Sequence, residues 1–256
     1  MTTDHQPFSL VQISDCHLLI NGGTYHGVDT KKTLTAVLDR VRQIQPDCVV
    51  VTGDITQDHT MGSYAILADL CRDYLGDTPI AWLPGNHDEI EPLQERFSES
   101  PFIAQKQLIV GDWVILLLNS KGPTPAGLIS QRQLQQLTEV LQQLKPTQSV
   151  AVFCHHHLLP VNGYIDQHIM QNGEELLVLL KQFDQLKCIS HGHVHQQHHR
   201  LIEGNKQPFH LWATPSTSIQ FKVRCDTLIA DDKGPAFRCF QFNPDGKVTS
   251  EVIGLD

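Results

Sequence analysis

The segment HGHVH, residues 191–195, places three histidines in five positions directly after an apolar run. A single buried histidine is usually a hydrogen-bonded core residue, whereas alternating histidines behind a strand are typical of metal ligands. Four other β-rich runs are also followed by polar groups that can bind a metal. The five strand-end motifs are Asp15-Cys16-His17, Gly53-Asp54, Gly85-Asn86-His87-Asp88, His155-His156-His157 and the segment from His191 to His195.

Each of these residues has an ordinary structural explanation when it is considered alone. Asp15 fits a turn, Asn86 an Asx turn and Asp54 a helix cap. Independent coincidences at five strand ends are improbable together, and carboxylate, amide and imidazole groups form a coherent set of metal ligands. In an extended segment, residues i and i+2 point the same way, so the DCH and HVH segments have chelating spacing.

The number of candidate ligands indicates two metal ions rather than one. Seven residues exceed what one tetrahedral ion can use, whereas a bridging carboxylate would let them serve two ions and leave a position for water. Two ions about 3.5 to 4 Å apart can clamp the oxygens of an in-line displacement, as in phosphatases and nucleases. The predicted chemistry is therefore phosphoryl transfer by a two-metal hydrolase. The candidate ligands are Asp15, His17, Asp54, Asn86, His155, His193 and His195.

The segments that carry these motifs alternate β-rich runs with helical patterns. The apolar residues of TLTAVLDRVRQI recur at helical spacing, whereas DCVVVTG is short and continuously apolar, as a buried strand is. This alternation predicts parallel βαβ units. The Gly111-Asp112 pair predicts a tight turn between two β-rich runs, and Ser130 is the predicted N-cap of the next helix.

From about residue 198 the pattern changes to closely spaced β-rich runs without helices. We expect residues 198–256 to form mainly antiparallel strands of the second sheet or a cap. The whole chain, residues 1–256, is expected to form one α/β domain of two sheets flanked by helices, because its 40% hydrophobic content suffices for a sizeable core. The predicted strands of the last part are HHRLIE, PFHLWAT, SIQFKV, TLIAD, AFRCFQF and KVTSEVIG.

The composition disfavours several classes of partner. A formal charge of −9 and the absence of long runs of like charge argue against a nucleic-acid or membrane-surface partner and favour a small-molecule substrate. No apolar run is long enough to cross a membrane and no signal-peptide pattern is present, so we predict a cytoplasmic protein. The seven cysteines contain no CxxC and are predicted to be reduced structural thiols. The sequence leaves the oligomeric state open, a dimer included.

The motifs DxH, GD, GNHD, a histidine after a strand and GHxH, in this order, resemble those of the calcineurin-like metallophosphoesterases. The resemblance extends from Asp15 to His195 and implies a four-layer αββα sandwich around a dinuclear centre. The stretches WLPGNHD, ILLLNS, HHH followed by LLPV, IDQH and ATPSTSIQF are similar to the class III cyclic nucleotide phosphodiesterases, particularly the bacterial members that act on cyclic AMP. Leu158, where the family often has proline, and His191, where an apolar residue or cysteine is common, are expected to change packing more than ligation.

The resemblance also implies which residues hold the two ions. Asp54 would bridge them and so belong to both sites. Iron is the expected native metal, with manganese or zinc as alternatives, because mixed oxygen and imidazole ligands suit all three. The first ion would be held by Asp15, His17, Asp54 and His195, and the second by Asp54, Asn86, His155 and His193.

The resemblance implies a role for His87, and positions along the chain suggest roles for Asp88 and His156. His87 would stabilise the transition state or protonate the leaving alkoxide, with Asp88 orienting it, and a purely structural pair is the alternative. If the chain stays extended after the strand, His156 would point away from His155 and support the site from outside the metal shell. The residues expected to contact substrate are His17, Asp54, Asn86, His87 and His195.

The ligand set and the resemblance together predict an enzyme that hydrolyses the 3′,5′-cyclic phosphodiester of cyclic AMP to AMP. A metal-bound hydroxide would attack phosphorus opposite the 3′ oxygen. The alternative is a metallophosphoesterase for another phosphodiester or phosphomonoester, such as another cyclic nucleotide, a nucleotide, a glycerophosphodiester or a nucleic acid, the last disfavoured by the acidic charge. A binding protein without turnover is disfavoured because no ligand is missing. The roles of His26, His156, His157 and Asp58 stay open, Asp58 being expected to cap a helix or to hydrogen-bond a ligand histidine.

Overall fold

Strands and helices alternate along much of the chain, as the sequence predicts, in a computed structural model that describes residues 6–255. No helix in these residues combines the length and the hydrophobicity needed to span a membrane. A 3₁₀ helix, Tyr164–His168, precedes the last α-helix. In chain order the elements are β1 (Phe8–Ile13), α1 (Thr30–Ile44), β2 (Cys48–Thr52), α2 (Met61–Leu75), β3 (Ile80–Leu83), α3 (Ile90–Arg96), β4 (Phe102–Ile103), β5 (Gln107–Val110), β6 (Trp113–Leu117), α4 (Gln131–Gln142), β7 (Ser149–Cys154), α5 (Gly173–Leu180), β8 (Leu186–His191), β9 (His198–Ile202), β10 (Phe209–Ala213), β11 (Ala236–Phe242) and β12 (Val248–Gly254).

The strands form two mixed sheets. Sheet 1 has the order β12-β11-β1-β2-β3-β4, and sheet 2 has the order β5-β6-β7-β8-β10-β9. Strands β1 to β4 run parallel in sheet 1, as do β6, β7, β8 and β10 in sheet 2. Helix α1 connects β1 to β2 and α2 connects β2 to β3, which confirms the predicted βαβ units.

Three hydrophobic clusters separate four layers of secondary structure. One packs α1, α2 and α3 against the outer face of sheet 1, with Leu38 and Val51 among its members. Another packs α4 and α5 against sheet 2. The third lies between the sheets, where Phe153 and Phe240 meet edge to face at 5.5 Å. The α/β sandwich with helices on both outer faces is therefore confirmed.

Strand β2 shows why these central strands are apolar throughout. Val49 and Val51 belong to the cluster under the helices, whereas Val50 belongs to the cluster between the sheets. Successive side chains of a strand point to opposite faces, and both faces of sheet 1 are covered. The strand therefore needs an apolar residue at every position, and its polar residues are confined to the loop that follows.

Several local predictions are confirmed. The side chains of Asp29, Thr60 and the predicted N-cap Ser130 each accept a hydrogen bond from the backbone N–H three residues further along. Strands β5 and β6 pair antiparallel on either side of Gly111-Asp112, and Gly111 has a φ of 57°. Glycine takes this left-handed conformation without a steric cost, as a tight hairpin turn requires.

The last part of the chain differs from the prediction in two respects. Strands β9 and β10 belong to sheet 2, but β11 and β12 pair with each other and extend sheet 1 through β1. The runs SIQFKV and TLIAD form only an isolated bridge, between Phe221 and Ala230, instead of strands. Local hydrophobicity predicts a strand there, but Ser218 donates to the carbonyl oxygen of Asp15 and the segment wraps around the loops of the other sheet. The expectation that residues 1–256 form one domain stays a prediction.

Candidate metal centre

The five strand-end motifs converge where the two sheets meet. Because the parallel strands of each sheet end at the same edge, the loops that follow them lie side by side. The loops after β1, β2 and β3 come from sheet 1, and those after β7 and β8 come from sheet 2. All seven candidate ligands are brought together, and six of them are buried, namely Asp15, His17, Asp54, His155, His193 and His195.

One group of donor atoms surrounds His195. Its Nε2 lies 3.1 Å from Nε2 of His17 and 3.4 Å from Oδ1 of Asp15. Oδ2 of Asp54 lies 3.8 Å from Nε2 of His17. Single atoms of Asp15, His17 and His195 all lie within 4.8 Å of one another. These three residues are close enough to share one ion, and Asp54 lies next to His17 at the edge of the group.

A second group surrounds His155. Its Nε2 lies 3.3 Å from Oδ2 of Asp54, 3.1 Å from Oδ1 of Asn86 and 3.2 Å from Nδ1 of His193. The same oxygen of Asp54 therefore faces both groups. This is the position that a bridging ligand would occupy.

The outer ring nitrogens of three histidines determine what their inner nitrogens can do. Nδ1 of His17 donates to Oε1 of Gln57 at 2.8 Å, and Nδ1 of His155 and of His195 donates to the carbonyl oxygens of Thr52 and Ile219, each at 2.7 Å. A carbonyl oxygen only accepts, so Nδ1 carries the hydrogen and Nε2 of a neutral ring carries a lone pair.

This tautomer leaves lone pairs facing one another. Nε2 of His17 and Nε2 of His195 are 3.1 Å apart with no hydrogen between two neutral rings. Nε2 of His155, once this ring gives up its second proton, likewise turns a lone pair toward the oxygens of Asp54 and Asn86. Buried acceptors that converge without a donor are unfavourable unless a cation lies among them. The donor set therefore fits metal ions.

The pKa shifts at the site suit metal binding. Burial lowers the pKa of His17 to about 3 and, with the neighbouring rings, lowers that of His193 well below its ordinary value. Burial alone would raise the pKa of Asp54, but His155, His87 and His17 outweigh it and lower that pKa. Burial opposes protonation of His155, but the Asp54 carboxylate raises its pKa to about 9. The imidazoles of His17 and His193 are thus neutral at pH 7. His155 carries a proton that a metal ion would displace.

Five of the candidate ligands have a left-handed backbone, which is uncommon outside glycine. Conformations of this kind cost about 1–3 kcal/mol each and are found mainly at functional sites. These residues lie in the turns after β1, β2 and β8, and the turns direct their side chains toward the region between the two sheets. The φ angles are 57° for Asp15, 46° for His17, 49° for Asp54, 69° for His193 and 50° for His195.

Two glycines of the motifs are required by close backbone contact. A Cβ on Gly53 would lie 2.3 Å from the backbone nitrogen of Gly85, and one on Gly85 would lie 2.1 Å from Oδ1 of Asp54. Gly53 also has a φ of 88°. The loops after β2 and β3 therefore touch through their glycines, which places Asp54 next to Asn86.

Comparison with known proteins identifies the family. The family model of calcineurin-like phosphoesterases matches residues 8–197, which is most of the chain. The chain belongs to this family.

Several known proteins are similar to this phosphoesterase over nearly its whole length. It is 36% identical over 251 residues to a probable cyclic nucleotide phosphodiesterase of Pseudoalteromonas, with 96% of this chain and 94% of the relative covered. It is 34% identical to the 3′,5′-cyclic adenosine monophosphate phosphodiesterase CpdA of Haemophilus influenzae, with 95% and 88% covered. It is 33% identical to CpdA of Escherichia coli, with 96% and 89% covered.

Solved structures support the fold. A dimetal phosphatase from Danio rerio superposes with a TM-score of 0.65 at 14% identity, with 92% of the phosphoesterase chain and 96% of the other chain covered. A purple acid phosphatase from yellow lupin superposes with a TM-score of 0.64, also at 14% identity. The superposition covers 98% of this chain and 54% of the lupin chain. Both confirm the metallophosphoesterase fold.

His87 lies at the site, but the expected His87–Asp88 pair does not form. The backbone N–H of His87 donates to Oδ1 of Asp54 at 2.9 Å, and its ring lies 5.0 Å from that of His17. Asp88 is fully buried and instead accepts from the backbone N–H groups of Ile55 and Gly85, at 3.0 and 2.9 Å. Asp88 therefore joins the loops after β2 and β3, and the expectation that it orients His87 is corrected.

His156 lies closer to the candidate ligands than expected. Its ring centroid is 4.8 Å from that of His155 and 4.6 Å from that of His193, because the chain bends after β7 and does not stay extended. Both of its ring nitrogens have partners, Oγ of Ser120 at 2.8 Å and the carbonyl oxygen of Pro125 at 3.1 Å. A ring nitrogen of His156 also lies within 4.8 Å of donor atoms of His155 and His193. Because both of its nitrogens already have partners, a supporting role for His156 stays the prediction.

The structure shows the surroundings of Asp58 and His26, whose roles the sequence leaves open. Oδ1 of Asp58 accepts from Thr60, the N-cap of α2, and from Oγ of Ser63, so this carboxylate stabilises the start of the helix. The residue that hydrogen-bonds the candidate ligand His17 is the neighbour of Asp58, Gln57. His26 is exposed beside Phe221, with ring centroids 5.4 Å apart.

The two departures from the family pattern affect packing. Leu158 is buried in the hydrophobic cluster between sheet 2 and its helices. His191 is also buried, and its Nδ1 contacts the carbonyl oxygen of Gly192 at 2.9 Å. Neither side chain is among the groups whose donor atoms converge.

A cavity of about 390 Å³ opens onto the candidate metal centre of the phosphoesterase. Its lining includes His17, Asp54, Asn86, His193 and His195. The expected substrate contacts do not include most of the residues that complete the lining, although Ile165, His168 and Phe221 fall in the stretches IDQH and ATPSTSIQF. These residues include Tyr25, His59, Tyr164, Ile165, His168, Phe221 and Leu228.

Proposed function

We propose that this phosphoesterase binds two divalent cations through the seven converging residues. The observation that carries the proposal is the arrangement of inward-facing lone pairs, held in place by outer hydrogen bonds to Gln57, Thr52 and Ile219. Asp54 would bridge the ions because its Oδ2 faces both groups of donors. Asp15, His17, Asp54 and His195 would hold one cation, and Asp54, Asn86, His155 and His193 the other.

We propose that the substrate is 3′,5′-cyclic AMP and the product AMP. The names of relatives at 33–34% identity over nearly the whole chain support this substrate. In the reaction, a water oxygen forms a bond to phosphorus, the bond from phosphorus to the 3′ oxygen breaks, and a proton passes to that oxygen. The bound cations would withdraw charge from the phosphoryl oxygens and lower the pKa of the attacking water.

His87 is the proposed proton donor to the departing 3′ oxygen. Its side chain lines the cavity next to the candidate ligands, and its backbone is held by Asp54. Nδ1 of His87 is buried and has no hydrogen-bond partner within residues 6–255. General acid catalysis of this kind contributes about 10²–10⁴-fold in rate. Contact with the substrate is also proposed for His17, Asp54, Asn86 and His195, which line the same cavity.

Iron is the proposed native metal, with manganese as its laboratory substitute and zinc as the alternative. Carboxylate, amide and imidazole ligands accept all three, so availability decides between them. We also propose that the protein acts in the cytoplasm on a small molecule and does not bind nucleic acid or membranes. All seven cysteines lie in the described residues and none is in a disulfide, and the net charge of −9 disfavours polyanionic partners.

Turnover of a substrate panel tests this function. The purified protein, stripped with a chelator and reloaded with Mn²⁺ or Fe²⁺, is assayed against cyclic AMP, cyclic GMP, bis-p-nitrophenyl phosphate and p-nitrophenyl phosphate. We expect cyclic AMP to give the highest kcat/KM and the chelated protein to be inactive. Turnover of the other phosphodiesters without turnover of cyclic AMP would refute the substrate, and elemental analysis showing only zinc in protein from its native host would refute iron.

A further inference from the structure

Apolar side chains from two segments line the cavity beside the candidate ligands and form its apolar wall. The 3₁₀ helix contributes Tyr164 and Ile165, and the loop of residues 221–230 contributes Phe221 and Leu228. The Phe221 ring also packs against the ring of His195, with centroids 4.7 Å apart. The candidate ligands and this apolar wall therefore belong to one continuous cavity.

The two segments are joined to each other. The backbone N–H of Tyr164 donates to the carbonyl oxygen of Cys225 at 2.8 Å. Within the loop, the N–H of Lys222 donates to the carbonyl oxygen of Ile229 at 2.8 Å, and the bridge between Phe221 and Ala230 closes its base. The wall is thus one hydrogen-bonded unit.

Asp166 connects this wall to the loop after β7. Its carboxylate accepts from the backbone N–H groups of Val161 at 2.9 Å, Asn162 at 2.8 Å and Gly163 at 3.2 Å. Its Oδ1 also contacts Nε2 of His157 at 3.0 Å. One carboxylate thus organises the turn before the 3₁₀ helix and attaches it to the segment that carries a candidate ligand. Nothing in the proposed reaction requires Asp166.

We propose that the 3₁₀ helix and the loop of residues 221–230 form a slot for the base of the cyclic nucleotide, and that Asp166 is the residue that positions this slot. The inference rests on the proposed function, because the cyclic phosphate must lie against the candidate ligands. The rest of the substrate then extends into the same cavity, whose apolar wall suits a flat ring, since small-molecule sites combine apolar surfaces with a few polar groups. His168, at the end of the same helix, lines the cavity and supplies a polar group for the edge of the base.

Substrates with and without a base test the slot. Ile165→Ala, Leu228→Ala and Asp166→Asn are compared with the parent protein on cyclic AMP and on methyl ribofuranoside 3′,5′-cyclic phosphate, which has a methoxy group instead of a base. We expect each variant to raise KM for cyclic AMP about tenfold with kcat within about twofold, because the lost contacts are made equally in the ground and transition states. KM for the substrate without a base should change at least about fivefold less.

Ile229→Ala is the matched control. Ile229 is an exposed apolar residue of the same loop, 43% accessible, and is not among the residues that line the cavity. It should leave both substrates unaffected. Equal losses on the two substrates in the three slot variants, or no loss on cyclic AMP, would overturn the slot.

AMP binding separates failure of the slot from failure of the proposed function. If the parent protein does not hydrolyse cyclic AMP, the proposed function fails, and calorimetry with AMP then tests the slot alone. A dissociation constant for AMP that rises about tenfold in Ile165→Ala and Asp166→Asn, but not in Ile229→Ala, would support the slot. Unchanged AMP binding, or no AMP binding by the parent protein, would overturn it.

Discussion

The two sheets contribute different chemistry to the candidate metal centre. Loops of sheet 1 provide both carboxylates and the amide together with one histidine, whereas loops of sheet 2 provide imidazoles only. Neither set is complete, since the group around His195 needs Asp15 and the group around His155 needs Asp54. Each group of donor atoms therefore forms only where loops of the two sheets meet, and the distances within it depend on how the sheets are aligned.

Buried polar contacts align the sheets directly beneath the site. Nε2 of Gln12 donates to Oγ1 of Thr52 at 2.8 Å, and Oγ of Ser190, from sheet 2, donates to Oε1 of Gln12 at 2.6 Å. The carbonyl oxygen of Thr52 accepts from His155 of the other sheet. These contacts stand out because the remaining layer between the sheets is mainly apolar. A hydrogen bond has a directional requirement that apolar packing lacks, so it can set the register between the sheets.

The largest expected effect comes from Asp54→Ala, which removes the carboxylate that faces both groups of donor atoms. The variant loses a negative charge that two dications would share, so both ions should bind more than about 100-fold more weakly. This loss exceeds the roughly 10- to 100-fold loss of metal affinity that is typical when a hydrogen-bond partner of a ligand is removed. Metal titration by calorimetry, with elemental analysis after gel filtration, measures the change. Two ions bound at near-native affinity would show that Asp54 is not the bridge and that the ligand assignment must be redrawn.

Asn86→Ala should have a more selective effect. The variant removes one neutral oxygen from the group around His155 and leaves the group around His195 intact. We expect about one ion per chain to be retained at near-native affinity while kcat falls by about 10²-fold or more, since a clamp on both reacting oxygens needs two ions. The same titration distinguishes the variants. Simultaneous loss of both ions in Asn86→Ala would mean that the two groups are not separate sites.

Gln12→Leu tests the alignment of the sheets without touching a ligand. The variant removes the two short bonds and leaves Thr52 and Ser190 with long contacts only, to the carbonyl oxygen of Ile13 at 3.4 Å and to Oγ1 of Thr214 at 3.5 Å. This loss should lower the free energy of unfolding by about 1–3 kcal/mol. It should also weaken metal binding about 10-fold, as loss of outer-shell contacts does. Urea denaturation and metal titration measure the two effects.

Ser9→Ala is the matched control on the same strand. It removes a hydrogen bond from Oγ of Ser9 to Asp47, at 2.7 Å, far from the site. The control should lose some stability but no metal affinity. Equal metal affinity in Gln12→Leu and Ser9→Ala would count against an alignment role for Gln12.

The smallest expected effect is that of Asp58→Asn, because Asp58 lies at the start of α2 and not between the two sheets. Burial would raise the pKa of Asp58, but bonds from Ser63, Ile20 and Thr60 outweigh it and lower that pKa. Because the folded pKa lies below the unfolded one, Asp58 stabilises the protein at neutral pH, and this contribution disappears as the pH falls below about 4. We expect a loss of about 1 kcal/mol at pH 7, with unchanged metal binding.

Thermal unfolding at several pH values tests the effect of Asp58→Asn. The melting temperature should fall by about 2–4 °C at pH 7. The difference between variant and parent should shrink below pH 4. A difference that is the same at pH 3 and pH 7 would contradict a role for the ionised carboxylate.

The sequence by itself determined the fold class, the βαβ order and the convergence of the candidate metal ligands. These features are local: a short, continuously apolar run rich in β-branched residues predicts a buried strand, and the parallel order of strands brings the loops that follow them to one edge. Asp15, Asp54 and His193 could therefore be identified from the residues that precede them. The predicted N-cap Ser130 is local in the same way, since its partner lies three residues away.

Only the tertiary structure decided which neighbour each polar group meets. Asp88 lies next to His87 in sequence but binds the backbone of the loop after β2, and Gln57 instead of Asp58 orients His17. The same holds for the placement of β11 and β12 in sheet 1 and for the apolar wall of the cavity. These contacts join residues from separate elements, so their energies depend on packing geometry that neither residue type nor spacing encodes.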